Sequence, residues 1–286
     1  MSTTLQQAIT ALKARINNAY AAVAAKGGTL PEKQNTANLA AAIQSIPTAA
    51  SACTLQDFIN AGGKLGYSNL SELTATVRQL DFSNVSDMQN FFRYAAFPNA
   101  TLALGGDLPN TSYSYAFANV SGSGIDLDAI TNNPKLSNIT YLCNSSTSLV
   151  SARLSRLDVS DCQAFAYTFN NCTSLELLDI TGWDLSKSTN NASMFAINNS
   201  KLTTLIGNHT LQEVENGGVM TCVGLKQNLD ISRLTLLDRA SLLAVIKGMA
   251  DLTGQTGKTL TLGTALLEKL NTADIQLATN KNWTLA

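Results

Sequence analysis

The sequence is poor in the side chains that do chemistry. There is one histidine, His209, in a Gly-Asn-His-Thr stretch where no nucleophile or acid has a sequence reason to meet it, so solvent exposure is expected. Serine-hydrolase, zinc-protease and phosphate-loop signatures are all missing. Gly254-Gln255-Thr256-Gly257-Lys258-Thr259 ends in Gly-Lys-Thr, but Leu252 stands where the leading glycine is required and a strand, not a helix, is expected to follow. A non-enzyme without cofactor or metal is expected. Charged residues are only 14% of the chain, with 19 Lys and Arg against 20 Asp and Glu, and they form no basic patch. By charge, no nucleic-acid partner is expected. The five cysteines (53, 143, 162, 172 and 222) include no C-x-x-C pair, which argues against a disulfide framework or zinc site and for small buried hydrophobes. No apolar run approaches the roughly 20 residues of a membrane span, so no membrane insertion is expected. The first residues, Met1-Ser2-Thr3-Thr4-Leu5, do not read as a signal peptide.

What is present is a period. Bulky apolar residues recur at Phe92, Phe117, Leu142, Phe169 and Phe195, in steps of 25, 25, 27 and 26. A polar turn rich in Asn, Ser and Thr follows each, then a second apolar residue: Leu102, Ile125, Leu149, Leu175 and Leu202. Strand-like phrases stand at Leu154-Ser155-Arg156-Leu157-Asp158-Val159 and Leu175-Glu176-Leu177-Leu178-Asp179-Ile180. A fixed period in this range marks stacked units, each unable to bury its own apolar side. Asn170, Asn171, Asn198 and Asn199 sit where the chain must turn, a role suited to a residue that tolerates the left-handed region. Asp158, Asp179, Asp184 and Asp230 are spread one per unit, so solvated edges are expected, not a calcium site.

Two resemblances attach to particular stretches. Leu80-Asp81-Phe82-Ser83-Asn84-Val85-Ser86-Asp87-Met88, followed by Phe91-Phe92 and a polar turn, resembles the BspA-like leucine-rich repeats of bacterial surface proteins, as do residues 178–186 and Met194-Phe195. Residues 98–140, with Pro98, Pro109, Pro134 and several glycines, depart from the pattern, and an irregular or looped-out unit is expected there. At the N-terminus Leu5, Ile9, Leu12, Ile16, Ala19 and Val23 form an a/d seam ended by Gly27-Gly28. Together with Leu30-Pro31-Glu32 and Asn38 to Pro47 it resembles the N-terminal segments of bacteriophage and prophage tail or fibre proteins. The seam serves either intrachain packing or self-association, and the resemblance implies a homotrimer.

The resulting expectation is an α/β fold. It has a helical attachment and oligomerisation segment at 1–50, an N-terminal cap at 51–78, a BspA-like leucine-rich-repeat solenoid at 79–234 and a C-terminal α/β cap at 235–286. In function it is a phage or prophage tail-associated receptor-binding protein, located in the virion and contacting other tail proteins and a bacterial surface protein or glycan. The alternative is a BspA-like adhesin on the bacterial cell surface. Candidate binding residues are Arg153, Arg156 and Glu176 in the strand phrases, with Tyr113 and Tyr115 in the irregular stretch. Candidate oligomerisation residues are Leu5, Ile9, Leu12, Ile16 and Val23.

Overall fold

The computed structural model describes residues 3–32, 34–44, 54–73, 77–108, 111–198 and 200–286, and the side chains of 3–11, 40, 41 and 44 lie outside the description. Expectations for the linker at 48–52, the strand centred on 74–76, Cys53, Asn199 and the side chains of Leu5 and Ile9 fall outside it.

Two helices open the chain: α1 (Thr3–Ala25) and α2 (Thr36–Gln44). Gly27, at φ 78°, ends α1, and the Gly28 amide returns to the Val23 carbonyl at 2.9 Å, the bond that closes a helix on a left-handed glycine. Asn35 caps α2 by accepting from the Asn38 amide at 3.0 Å. Tyr20, Val23 and Ala42 are buried between the helices, with Ile16, Leu39 and Ile43 packed beside them. The C-terminal half of the seam is thus used within the chain, while Leu12 stays 43% exposed.

A short helix α3 (Leu55–Asn60), started by a Thr54–Asp57 capping box, leads into the main body. There β1 (Ala96–Asp107), β2 (Ser121–Asn132), β3 (Ser151–Arg153) and β4 (Leu177–Asp179) form a parallel sheet in sequence order. After α4 (Leu211–Glu215) comes a second parallel sheet, β5 (Leu229–Asp230), β6 (Lys258–Thr261) and β7 (Trp283–Leu285), wrapped by α5 (Arg239–Gly248), α6 (Thr264–Leu267) and α7 (Thr272–Asn280). One continuous apolar core runs from Ile59 to Trp283, and Ile206, Val214, Val219, Ala240, Leu243 and Ala244 make a satellite around α4 and α5.

The leucine-rich-repeat solenoid expected over 79–234 is corrected by this architecture, which is a mixed α/β fold with two small parallel sheets. Apolar period fixes which residues are buried, but it does not fix which segments pair as strands. Residues 80–92, read as a repeat unit, fold as turns among the described residues. β3 and β4 are only three residues each, and β3 precedes the phrase at 154–159. The two longest strands, twelve residues each, lie in the region expected to be irregular. Pro98 is tolerated because β1 is the first strand of its sheet and shifts register between Phe97 and Thr101. Gly122 is required because a Cβ there would fall inside the Phe97 ring. Within the C-terminal cap α6 and α7 are separate helices: Asn271 caps α7 with Asp274, and Ile275 and Leu277 face outward at 38% exposure each.

Candidate functional site

Successive turns of the main body are held together by backbone bonds between residues about 26 apart. The Tyr115, Tyr141 and Tyr167 amides donate to the carbonyls of Thr140, Ala166 and Ala192 at 3.1, 3.0 and 3.0 Å. Two residues on, the Phe117 and Phe169 amides donate to Leu142 and Met194 at 2.8 and 3.0 Å. This register sets corresponding side chains of neighbouring turns directly beside one another. The Phe92, Phe117, Leu142, Phe169 and Phe195 positions point inward and are buried.

The turns themselves carry two rows of residues in the left-handed region. One row holds Asn90, Tyr115, Tyr141, Tyr167 and Ser193, at φ 59°, 57°, 60°, 58° and 55°. The other, four residues later in the turns that carry both, holds Tyr94, Asn119, Ser145 and Asn171 at 62°, 57°, 58° and 59°, with Tyr67 at 62° preceding them. Asn is at home here, whereas a bulky residue at positive φ is an outlier that costs about 1–2 kcal/mol. Five of the seven tyrosines of the chain occupy such places. The strain at these rungs is met by ring contacts.

Tyr115 and Tyr141 stack at 4.4 Å with planes 4° apart, and Tyr141 and Tyr167 at 4.8 Å and 6°. Tyr67 and Tyr94 stack at 4.6 Å and 22°. Arg93 joins the two groups, its guanidinium 5.1 Å from the Tyr94 ring centre and 4.5 Å from that of Tyr115. Nη1 of Arg93 donates to Asn90 Oδ1 at 3.1 Å, which fixes the guanidinium on Tyr115. The result is a stripe Tyr67–Tyr94–Arg93–Tyr115–Tyr141–Tyr167 along one edge of the stacked turns. Tyr67 and Tyr94 are 55% and 39% exposed, and the other three are half-buried. Desolvation first, and then the neighbouring Tyr141, push the Tyr115 phenol up from its ordinary value.

The expected binding residues are placed elsewhere, except Tyr115. Tyr113 is 1% exposed, its ring in the core and its hydroxyl buried without a partner, so it cannot reach a ligand. Arg153, on β3, lies 3.9 Å from Asp128. Desolvation by burial is the main cause that raises the Asp128 carboxyl, with Asp126 second. Arg156 and Glu176 are exposed, and their carbonyls accept from Asn133 at 2.7 Å and from the Thr203 amide at 2.9 Å. No hydrogen bond or ion pair joins Arg153, Arg156 and Glu176. The stripe's other members, Tyr67, Arg93, Tyr94, Tyr141 and Tyr167, were not singled out as a site from the sequence. The equal steps from Tyr115 to Tyr141 to Tyr167 were the available signal.

Other polar groups are consumed locally. Asp158, Asp179, Asp184 and Asp230 each accept from the amide two residues on, at 3.0, 3.0, 2.7 and 3.0 Å, which makes them turn formers. His209 sits 3.7 Å from Glu213, which belongs to the capping box of α4. Among the described residues no group of three His, Cys, Asp or Glu side chains is arranged to hold a metal ion, and no helix is long and apolar enough to cross a membrane.

The comparisons with known proteins bear on the same stretch. No curated protein and no solved structure matches the chain. Residues 111–233, which include Tyr115, Tyr141, Tyr167 and Ser193, are similar to the family described as Mycoplasma protein of unknown function, DUF285.

Proposed function

We propose that this chain is a non-catalytic recognition protein of a phage or prophage tail, attached by its N-terminal helices and contacting a bacterial surface with its tyrosine stripe. The stripe is the observation that carries the reading. Positions that Asn fills readily are given to Tyr, along an edge exposed at Tyr67 and Tyr94 and half-buried beyond, around a fixed guanidinium. Strain of this kind concentrates where a protein binds, and Tyr and Arg are the side chains enriched at recognition surfaces. The resemblance of residues 1–47 to tail-protein segments supports the location. Leu12 of α1, 43% exposed and outside the α1–α2 contact, supports attachment there to other tail proteins or to further copies of the chain, with a homotrimer as the expected copy number. A bacterial surface adhesin is the second reading, favoured by the similarity of residues 111–233 to a bacterial family.

Immunodetection in purified virions, together with binding of the labelled full chain to a panel of bacterial strains, tests the proposal. Presence in virions and saturable binding to some strains are expected. Absence from virions with binding intact selects the adhesin, and absence of binding to every strain defeats both. Deleting residues 1–50 is expected to abolish self-association in light scattering while leaving cell binding per chain unchanged. A full-length chain that is monomeric at high concentration would assign the seam to the α1–α2 contact alone.

A further inference from the structure

Stacking uses up the faces of the tyrosine rings and leaves their edges. Tyr141 is covered on one side by Tyr115 and on the other by Tyr167, and Tyr115 by Tyr141 and by the guanidinium of Arg93. The face of an aromatic ring is negative and its edge positive, so the rim that this stack turns to solvent is electropositive. Arg93 adds a full charge to that rim. Its Nη1 is bonded to Asn90 and its Nε is buried without a partner. Nη2 has no hydrogen-bond partner among the described residues and, unlike Nε, is not enclosed. No carboxylate among the described residues pairs with Arg93.

Acidic groups are missing from the rungs themselves. Residues 64–70, 88–96, 113–120, 138–146, 164–172 and 190–198 contain none of the 20 Asp and Glu of the chain. Lys64, the other cation of these rungs, is spent on Asp87 and on the Gln89 carbonyl. Beyond Ser193 the next turn brings exposed Lys226 and Arg233 against a single carboxylate, Asp230, and Arg233 donates to Asn198 of the preceding rung. The stripe is therefore an acid-free track with cations at both ends.

We propose that this track binds an acidic peptide segment of a bacterial surface protein, with one carboxylate paired to Nη2 of Arg93. The inference rests on the surface-recognition reading above and names its partner. A carboxylate accepts from guanidinium N–H and phenol O–H groups and needs no free ring face. A sugar ring stacking through its C–H face finds both faces of Tyr115 and Tyr141 already covered. Arg93 is already held by two rings and Asn90, so pairing costs little further side-chain entropy.

The test is an array of acidic peptides, with oligomers of glucuronate and of a phosphodiester-linked polyol as separate arms, probed with the full chain. Each binder is then titrated at low and high salt. At least one acidic peptide is expected to bind, more weakly as salt rises, and its Asn and Gln counterpart is not. Arg93→Gln should weaken binding about tenfold or more, and Arg93→Lys less, because it keeps the charge and loses the fork. Ser193→Glu, which sets a carboxylate on the exposed rung between the two cationic ends, should weaken binding several-fold, while Ser193→Lys should not. Both should melt as the unaltered protein does, which separates charge from fold. An array without a bound acidic peptide, an Arg93→Gln variant that binds as before, or equal binding by the two Ser193 variants overturns the proposal. If only a glucuronate or phosphodiester oligomer binds, the peptide partner falls and the surface-recognition reading stands with an anionic polymer. If every arm is silent while the chain still binds bacteria, the acidic partner falls alone. If the chain binds neither array nor cells, both fall.

Discussion

Two rows of side chains run along the same turns, one or two residues apart, and they serve opposite ends. The inner row, Phe92, Phe117, Leu142, Phe169 and Phe195, is no more than 1% exposed. Its rings stack where they are adjacent, Phe92 on Phe117 at 5.4 Å and Phe169 on Phe195 at 5.7 Å. Nothing in that row sits at positive φ, and each turn buries a whole Phe or Leu side chain. In the outer row, Asn90, Tyr115, Tyr141, Tyr167 and Ser193, the three tyrosines stack more closely, yet each member sits at positive φ. A stacked pair contributes about 0.5–1.5 kcal/mol beyond its burial, and each left-handed tyrosine costs about 1–2 kcal/mol. Over two pairs and three tyrosines the stacking, about 1–3 kcal/mol, offsets only part of a strain of about 3–6 kcal/mol. The inner row holds the fold, and the outer row is the one we propose for recognition.

The largest effect expected from this contrast is at the inner row. Phe169→Ala should cost about 3–5 kcal/mol in chemical unfolding, because it removes a ring between Phe195 and Trp183 and leaves a cavity. A cost below about 1 kcal/mol would remove the distinction between the rows.

A second effect belongs to the same buried layer. Burial pushes the thiols of Cys162, Cys172 and Cys222 up to about 11, 12 and 12, and that of Cys143 well above the ordinary value near 9. A raised thiol is neutral in the folded chain and ionises on unfolding. Its contribution is therefore complete below about pH 9 and is lost as pH rises through the folded value. Stability should fall between pH 9 and about 12, and Cys172→Ala should flatten that slope. An unchanged slope would mean that Cys172 ionises as readily folded as unfolded.

These rows were unequally legible in the sequence. The inner one is visible as a period of apolar residues, because burial selects for hydrophobicity directly. The same period overstated the regularity of the chain. β1 and β2 arise where prolines and glycines argue against strands, since an edge position accommodates Pro98 and a neighbouring ring demands Gly122. The outer row carries no hydrophobic signature: Asn90, Tyr115 and Ser193 are equivalent only in backbone conformation. Tyr113 and Tyr115, taken together as candidates, part company because the turn sends one ring into the core and the other to its edge. Arg93 was invisible as a member, since its place depends on Asn90 one turn away from Tyr115.

The smallest effect on stability carries the largest consequence for function. The triple variant Tyr115→Asn, Tyr141→Asn, Tyr167→Asn gives these positions the residue that Asn90, Asn119 and Asn171 already use. Lost stacking and relieved strain should leave its unfolding free energy within about 1–2 kcal/mol of the unaltered protein. Measured in one preparation for melting and for binding to a susceptible bacterial strain, it should melt nearly as before and fail to bind. A variant that unfolds as readily as Phe169→Ala, or one that stays folded and binds undiminished, would contradict the assignment of the outer row to recognition.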